Sequence, residues 1–280
     1  MKTTDKILNN LALFLRPLHH YVKLVLLYIF KNHDLHVRSL IDATGTKMDL
    51  NLGNFVDFWI FIDGTYEGIW INQVKKMVRR KTFIDVGAHI GIYSLSLFRE
   101  AKEIFAFEAE KKNYKRLLGH IKLNSAKNVK AYRKIVSDKG KVRNKLYINE
   151  DNQGMHSSTV SYKGRVEKVS SITLDSFINK HKIRNIGLIK IDVEGAELKV
   201  LDGLRKTLRK IHPAILLEFN PTLAKLSGHK LTDIYNLMIK NKYRAYKLIN
   251  KKLVKFRIED IPQVYNENVL FLFNNHDKTF

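Results

Sequence analysis

Carboxylates at the ends of apolar runs are the residues best placed to do chemistry in this chain. Lys190-Ile191-Asp192-Val193-Glu194-Gly195-Ala196-Glu197 closes one such run and sets three acids close together. Asp192 and Glu194 share a face if the strand reaches 194, because strand side chains alternate. Glu197 begins the following helix, where an acid also suits the positive helix end. Glu218 stands near the end of Ala214–Phe219, and a carboxylate terminating so apolar a strand needs a partner or a task. Such groups can take the proton of a substrate hydroxyl, so Asp192, Glu194 and Glu218 are the candidate general bases, in that order. His156 lies in the small, polar segment Gly154-Met155-His156-Ser157-Ser158, suited to a loop over a site, and is a reserve base. The three carboxylates are also hard oxygen ligands of the type magnesium takes, but a divalent metal is not expected.

A second group lies earlier. Asp85-Val86-Gly87-Ala88-His89-Ile90-Gly91 follows the apolar run that starts at Thr82. Gly87 lets the backbone turn tightly and approach a ligand, and Gly91 opens a helix whose amides can face a polar group. This is not the three-glycine dinucleotide fingerprint. Glu108 closes the next strand, 17 residues past Gly91. That is near the spacing at which an acid takes both hydroxyls of a ribose. An adenosine without pyrophosphate suits a turn lacking a phosphate-binding glycine run, and S-adenosylmethionine has such an adenosine. Asp138 follows the third strand and could accept from an adenine amino group, although Asp138-Lys139-Gly140 is equally a turn sequence.

The elements that must position these residues alternate. Strands are expected at 82–86, 103–107, 129–136, 186–193 and 214–219, with helices at 91–100, 110–123, 174–181, from 196, and 231–241. Two late strands, 243–249 and 268–274, close the sheet. Residues 140–171 are irregular, with strands at 145–149 and 165–169. Alternation of this kind predicts an α/β fold, a mostly parallel doubly wound sheet covered on both faces, with ligands at the carboxyl ends of its strands. Before it, 66–80 has helical periodicity and 36–62 reads as short strands.

Composition narrows the classes. The absence of cysteine removes disulfides, thiolate zinc sites and cysteine nucleophiles. The formal net charge of +23 favours an anionic partner: a membrane surface, a phosphorylated or sulfated substrate, or nucleic acid. A solvated, lysine-rich surface explains it as well. The stretch 111–145 is rich in Lys and Arg, with Asp138 its one acid. Residues 11–30 are very apolar but are interrupted by Arg16, Pro17, His19, His20 and Lys23. They fall short of the ~20 apolar residues that span a bilayer. They are expected to pack on the domain or to lie on a membrane. A cytoplasmic location is expected, with peripheral membrane contact through 11–30 as the variant of it.

The sequence resembles the FkbM family of methyltransferases. The resemblance runs from about Tyr66 to Asn220. It rests on Tyr66-Glu67, Phe83 to Gly91, Phe107-Glu108, Ile189 to Glu197 and Leu217-Glu218-Phe219. It implies a Rossmann-like class I methyltransferase fold over 66–280, after a helical and strand extension over 1–65. It implies S-adenosylmethionine as donor, with Asp85, Gly87, Ala88, His89, Gly91 and Glu108 along the cofactor. It also implies O-methylation of a glycan, a lipid-linked sugar or a secondary metabolite. Two positions depart from the family pattern: His89 where Asn is common, and Ala109 where Pro is common after the ribose acid. Two other readings remain. One is an RNA ribose methyltransferase using the basic stretch, although no RNA-binding module is recognisable and nucleic acid is not the favoured partner. The other is a non-catalytic membrane-surface protein, against which the acids at four strand ends argue.

Overall fold

The structure is a computed structural model and describes residues 3–17, 20–31, 33–41, 45–149, 156–261 and 266–274. Two helices, α1 (Thr3–Leu15) and α2 (His20–Phe30), open the chain. An antiparallel hairpin of β1 (His36–Ile41) and β2 (Thr46–Asn51) follows, then α3 (Phe55–Asp63) and α4 (Gly68–Val78). From there strands and helices alternate as expected: β3 (Thr82–Val86), α5 (Ile92–Leu97), β4 (Glu103–Phe107), α6 (Lys111–Leu123) and β5 (Val129–Tyr132). A small side sheet of β6 (Ile135–Val136), β7 (Arg143–Tyr147) and β8 (Val166–Ile172) interrupts, in the order β6-β8-β7. The alternation resumes with α7 (Leu174–Lys180), β9 (Ile186–Ile191), α8 (Glu197–Asp202), α9 (Arg205–Lys210), β10 (Ala214–Phe219), α10 (Pro221–Leu226) and α11 (Leu231–Lys240). It ends on β11 (Tyr243–Ile249), β12 (Lys252–Lys255) and β13 (Glu267–Phe273).

The main sheet runs β12-β11-β13-β10-β9-β3-β4-β5. Pairings from β5 across to β10 are parallel, and β13 is antiparallel to both of its neighbours. The chain walks outward from β3 to β5, then crosses back to lay β9 beside β3. Their carboxyl ends form the switch point where such sheets bind ligands.

The central strands are apolar on both faces because both faces are covered. Phe83, Ile104, Leu188, Leu216 and Leu270 point to one side, into a cluster that also holds Ala12, Met48, Leu50, Phe58, Phe61 and Val74. Ile84, Phe105, Ile189, Ile215 and Phe271 point to the other, against α7, α8, α9 and α11 residues such as Phe177, Val200, Leu208 and Ile234. The first 65 residues thus contribute to the cover of one face.

Two expectations are corrected. Residues 55–63 (FVDFWIFID) form a helix and not a strand. Their aromatic and β-branched content favours strand locally. Burial of Phe58, Ile60, Phe61 and Ile62 on a helical surface overrides it, and Gly64 at φ 71 stops the helix. Residues 129–136 are two strands: β5 joins the main sheet, while β6 turns away to pair with β8.

Candidate active site

A cavity of about 280 Å³ opens at the switch point. Its floor is the turn after β3. The amides of Gly87 and Ala88 both donate to Phe107 O, at 3.0 and 2.9 Å, tying the turn to β4. Gly87 sits at φ +83, and a Cβ there would lie 1.7 Å from Asp192 O. Its glycine is therefore demanded by the passing end of β9. Gly91, at φ +97, lies outside the cavity lining, and a Cβ on it would strike Leu117 and Leu95.

His89 adopts a left-handed conformation, φ 50. Asn and His are among the side chains that tolerate this region best, so the departure from Asn keeps the backbone requirement. The turn aims His89 N at Glu108 Oε2, 2.8 Å away, while Glu110 N donates to Glu108 Oε1 at 2.7 Å. Glu108 is thus clamped at the end of β4, and burial pushes its carboxyl up to about 7. Burial drives the His89 imidazole down to about 4, and its buried Nε2 has no partner.

Asp85 is buried at the end of β3. Its Oδ2 accepts from Ser94 N and Oγ, at 3.1 and 2.7 Å, and its Oδ1 is buried without a donor. Directly across the β3–β9 register stands Lys190. Lys190 is 4% exposed in a strand otherwise wholly apolar. Its Nζ donates to Asp192 Oδ2 at 2.7 Å and lies 4.7 Å from the Tyr93 ring centroid. Burial works against its charge, but Asp192, Glu67 and Asp85 outweigh that and hold it above the ordinary lysine range. Glu67 also lines the cavity, accepting from Tyr93 Oη at 2.6 Å and Asn268 Nδ2 at 2.9 Å.

The opposite wall is acidic. Asp192, Glu194 and Glu218 each offer an oxygen, all within 4.8 Å of one another, a set that could also hold a metal ion. Glu194 is at φ 52, before Gly195 at φ 98. Burial, then Asp192 and Glu197, raise its carboxyl well above the ordinary range. Glu218 is raised by burial, Asp192, Glu194 and Glu197. Its Oε1 faces Asn266 Nδ2 at 3.4 Å, and its Oε2 is buried without a partner. Glu197 turns away to accept from Val193 N and Gly195 N, closing the turn that begins α8.

The structure therefore brings Asp85, Gly87, Ala88, His89, Glu108, Asp192, Glu194 and Glu218 to one cavity, with His156 on its rim. His156 Nδ1 accepts from Asn149 N at 3.2 Å, and Gly154 and Met155 of its segment fall outside the described residues. Asp138 lies outside the lining, exposed, and accepts from Ser137 Oγ at 2.9 Å. Sequence reasoning assigned no role to Lys190, Glu67 or Tyr93. Lys190 carried a signal, since a lysine inside a buried strand requires a partner.

A methyltransferase FkbM domain profile matches residues 85–247. No curated protein is significantly similar to the chain. Among solved structures it is similar to methyltransferase FkbM from Methylobacillus flagellatus KT, at 17% identity and TM-score 0.44, over 69% of this chain and 43% of that one. It thus spans less than half the length of that protein. It is also similar to an rRNA methylase from Streptococcus thermophilus, at 8% identity and TM-score 0.44, over 73% and 94% of the two chains. A third likeness is to SMU.1697c from Streptococcus mutans in complex with SAH, at 12% identity and TM-score 0.42, over 73% and 96%.

Proposed function

The chain belongs to the FkbM methyltransferase family and has the Rossmann-like class I fold, and from that premise we propose that it methylates a hydroxyl oxygen with S-adenosylmethionine as donor. The acceptor class is a glycan, a lipid-linked sugar or a secondary metabolite. One observation carries the oxygen assignment: Glu218 Oε2 is buried and unpartnered beside Glu194 and Asp192, at the edge of a cavity floored by the turn after β3.

The cavity fits the cofactor by its donor and acceptor chemistry. S-adenosylmethionine offers ribose hydroxyls and an ammonium, all donors. The lining answers with acceptors: Glu108, already oriented by two amides, and Asp85 Oδ1, which has no donor. When bound, the sulfonium supplies an electrophilic methyl group and a neutral leaving group, so the protein needs no acid for departure. Alignment is then the main demand, and strand ends provide it.

An alcohol must lose its proton as it attacks, and this falls to the acidic wall. Lys190 engages Asp192 and neutralises it, leaving Asp192 to orient. Glu218, raised by burial and by its neighbours, is the better base, and the hydroxyl proton passes to its Oε2. On this reading Glu218 is preferred to Asp192 as the base, whereas the sequence alone ranked Asp192 first, Glu194 second and Glu218 third.

Calorimetric titration of the purified protein with S-adenosylmethionine tests the donor site. Saturable binding is expected, weakened roughly 10- to 100-fold by Glu108→Ala through loss of a charge-assisted acceptor pair. Folded wild-type protein that takes up no S-adenosylmethionine would sink the reading. The RNA alternative draws on the basic stretch, but Arg116, Lys130 and Arg133 there are paired with Asp57, Glu103 and Glu167.

A further inference from the structure

Helix α2 reverses the usual polarity of a surface helix. Tyr21, Val22, Val25, Tyr28 and Ile29 recur at spacings of one, three and four residues and so form one stripe. They are between 44% and 76% exposed. On the opposite side lie Leu26, Leu27 and Phe30, packed on the core, and with them Lys23, the buried member of the helix. Lys23 Nζ donates to Asp63 Oδ1 of α3 at 2.6 Å and stands 6.0 Å from the Trp59 ring centroid. A helix meant for water turns its lysine out and its valines in. This one is anchored inward by an ion pair and leaves an apolar stripe outside. Helix α1, also packed on α3, adds exposed Ile7 and Leu11 one turn apart.

Charge decides what covers the stripe. A second copy would bring another +23, and bodies so charged repel. An anionic bilayer attracts such a body. Exposed Lys6 precedes Ile7 in the sequence of α1, and exposed Lys31 follows the last residue of α2. Tyr21 and Tyr28 have the apolar ring and polar tip that suit the boundary between headgroups and acyl chains. With 11 residues, α2 can lie in that boundary. Among the described residues no helix is long and apolar enough to cross a membrane.

We propose that the outer stripe of α2, with Ile7 and Leu11, seats this protein on the surface of a bilayer bearing anionic headgroups. The seat is independent of the methyl-transfer reading, since none of its residues lines the cavity.

Co-sedimentation of the full chain with vesicles tests it, comparing phosphatidylcholine alone with phosphatidylcholine doped with phosphatidylglycerol. Wild type is expected to sediment with the anionic vesicles. The triple variant Val25→Gln, Tyr28→Gln, Ile29→Gln keeps the net charge and should lose about tenfold or more in partition, since each change withdraws apolar area from the bilayer. Equal binding of wild type and variant would mean that charge alone acts, and overturns the proposal. So would wild type remaining in the supernatant, or a wild-type dimer that the variant dissolves. A second readout needs no loss of binding. The chain has no cysteine, so Val25→Cys carries a polarity-sensitive label at a unique site. Its emission should shift to the blue on anionic vesicles, while a label at Leu226→Cys, exposed elsewhere, should not shift. A label at position 25 that stays water-like on vesicle-bound protein also overturns the proposal.

Discussion

The two walls of the cavity hold the same functional group in different company. Beside β3 and β4, Glu108 accepts from two backbone amides, and Asp85 accepts twice from Ser94. Beside β9 and β10, Glu218 keeps a buried oxygen with no donor, and Glu194 faces further carboxylates. Carboxylates oriented by fixed donors are suited to binding, because their geometry is set before the ligand arrives. Those crowded against other carboxylates are suited to holding and releasing a proton, because burial and the neighbouring acids raise their affinity for it more than Lys190 lowers it. On the proposed function, one wall receives the donor and the other takes the proton.

The comparison breaks most sharply at Glu218. Glu218→Gln should lower the turnover number by roughly 10²- to 10⁴-fold, the usual worth of a general base, with S-adenosylmethionine affinity changed less than about twofold. Steady-state kinetics beside calorimetry measures both, and a matching loss of cofactor affinity would erase the distinction between the walls.

Next in size is the pH dependence of stability without ligand. Glu108 and Glu197 are both held at about 7 in the folded chain, above the ordinary 4.5. Between those values the folded state binds more protons than the unfolded one. Their contribution is complete below about 4.5 and is lost as pH rises toward 7, by up to about 3 kcal/mol each. His89, lowered to about 4, acts in the opposite sense, losing stability as pH falls from 6.5. Melting temperatures measured from pH 5 to 8 should therefore fall less steeply toward alkaline pH in Glu108→Gln than in wild type. Parallel curves would mean that Glu108 titrates as an exposed acid does.

The smallest expected effect sharpens the reactive wall. If Asp192, Glu194 and Glu218 act as base and acceptors, EDTA should leave the rate within about twofold, since no Lewis acid is then required. A rate lost to EDTA and restored by magnesium would make the trio metal ligands instead.

Much of this architecture is legible along the chain. TFIDV, EIFAF, IGLIKI and AILLEF read as buried strands because each carries its apolar character within itself, and all four lie in the main sheet. The acids that follow them reach the cavity because strand ends converge there whatever the details of packing. Residues whose placement depends on a distant neighbour were not legible. FVDFWIFID is helical only because of what it packs against. The strand through 129–136 divides because β8 captures its second half. Gly87 is a glycine on account of Asp192 O, more than a hundred positions away.

The sequence by itself determined the alternating α/β order, the two acidic motifs and the excess of positive charge, because periodicity, composition and motif spacing are properties of neighbouring residues. Only the tertiary structure decided that Lys190 pairs with Asp192 while Glu218 Oε2 is buried without a partner, and that α2 turns Lys23 inward and its apolar stripe out. Those outcomes depend on which strands and helices lie side by side, and a partner across β3 and β9 or between α2 and α3 exists only once the chain has folded.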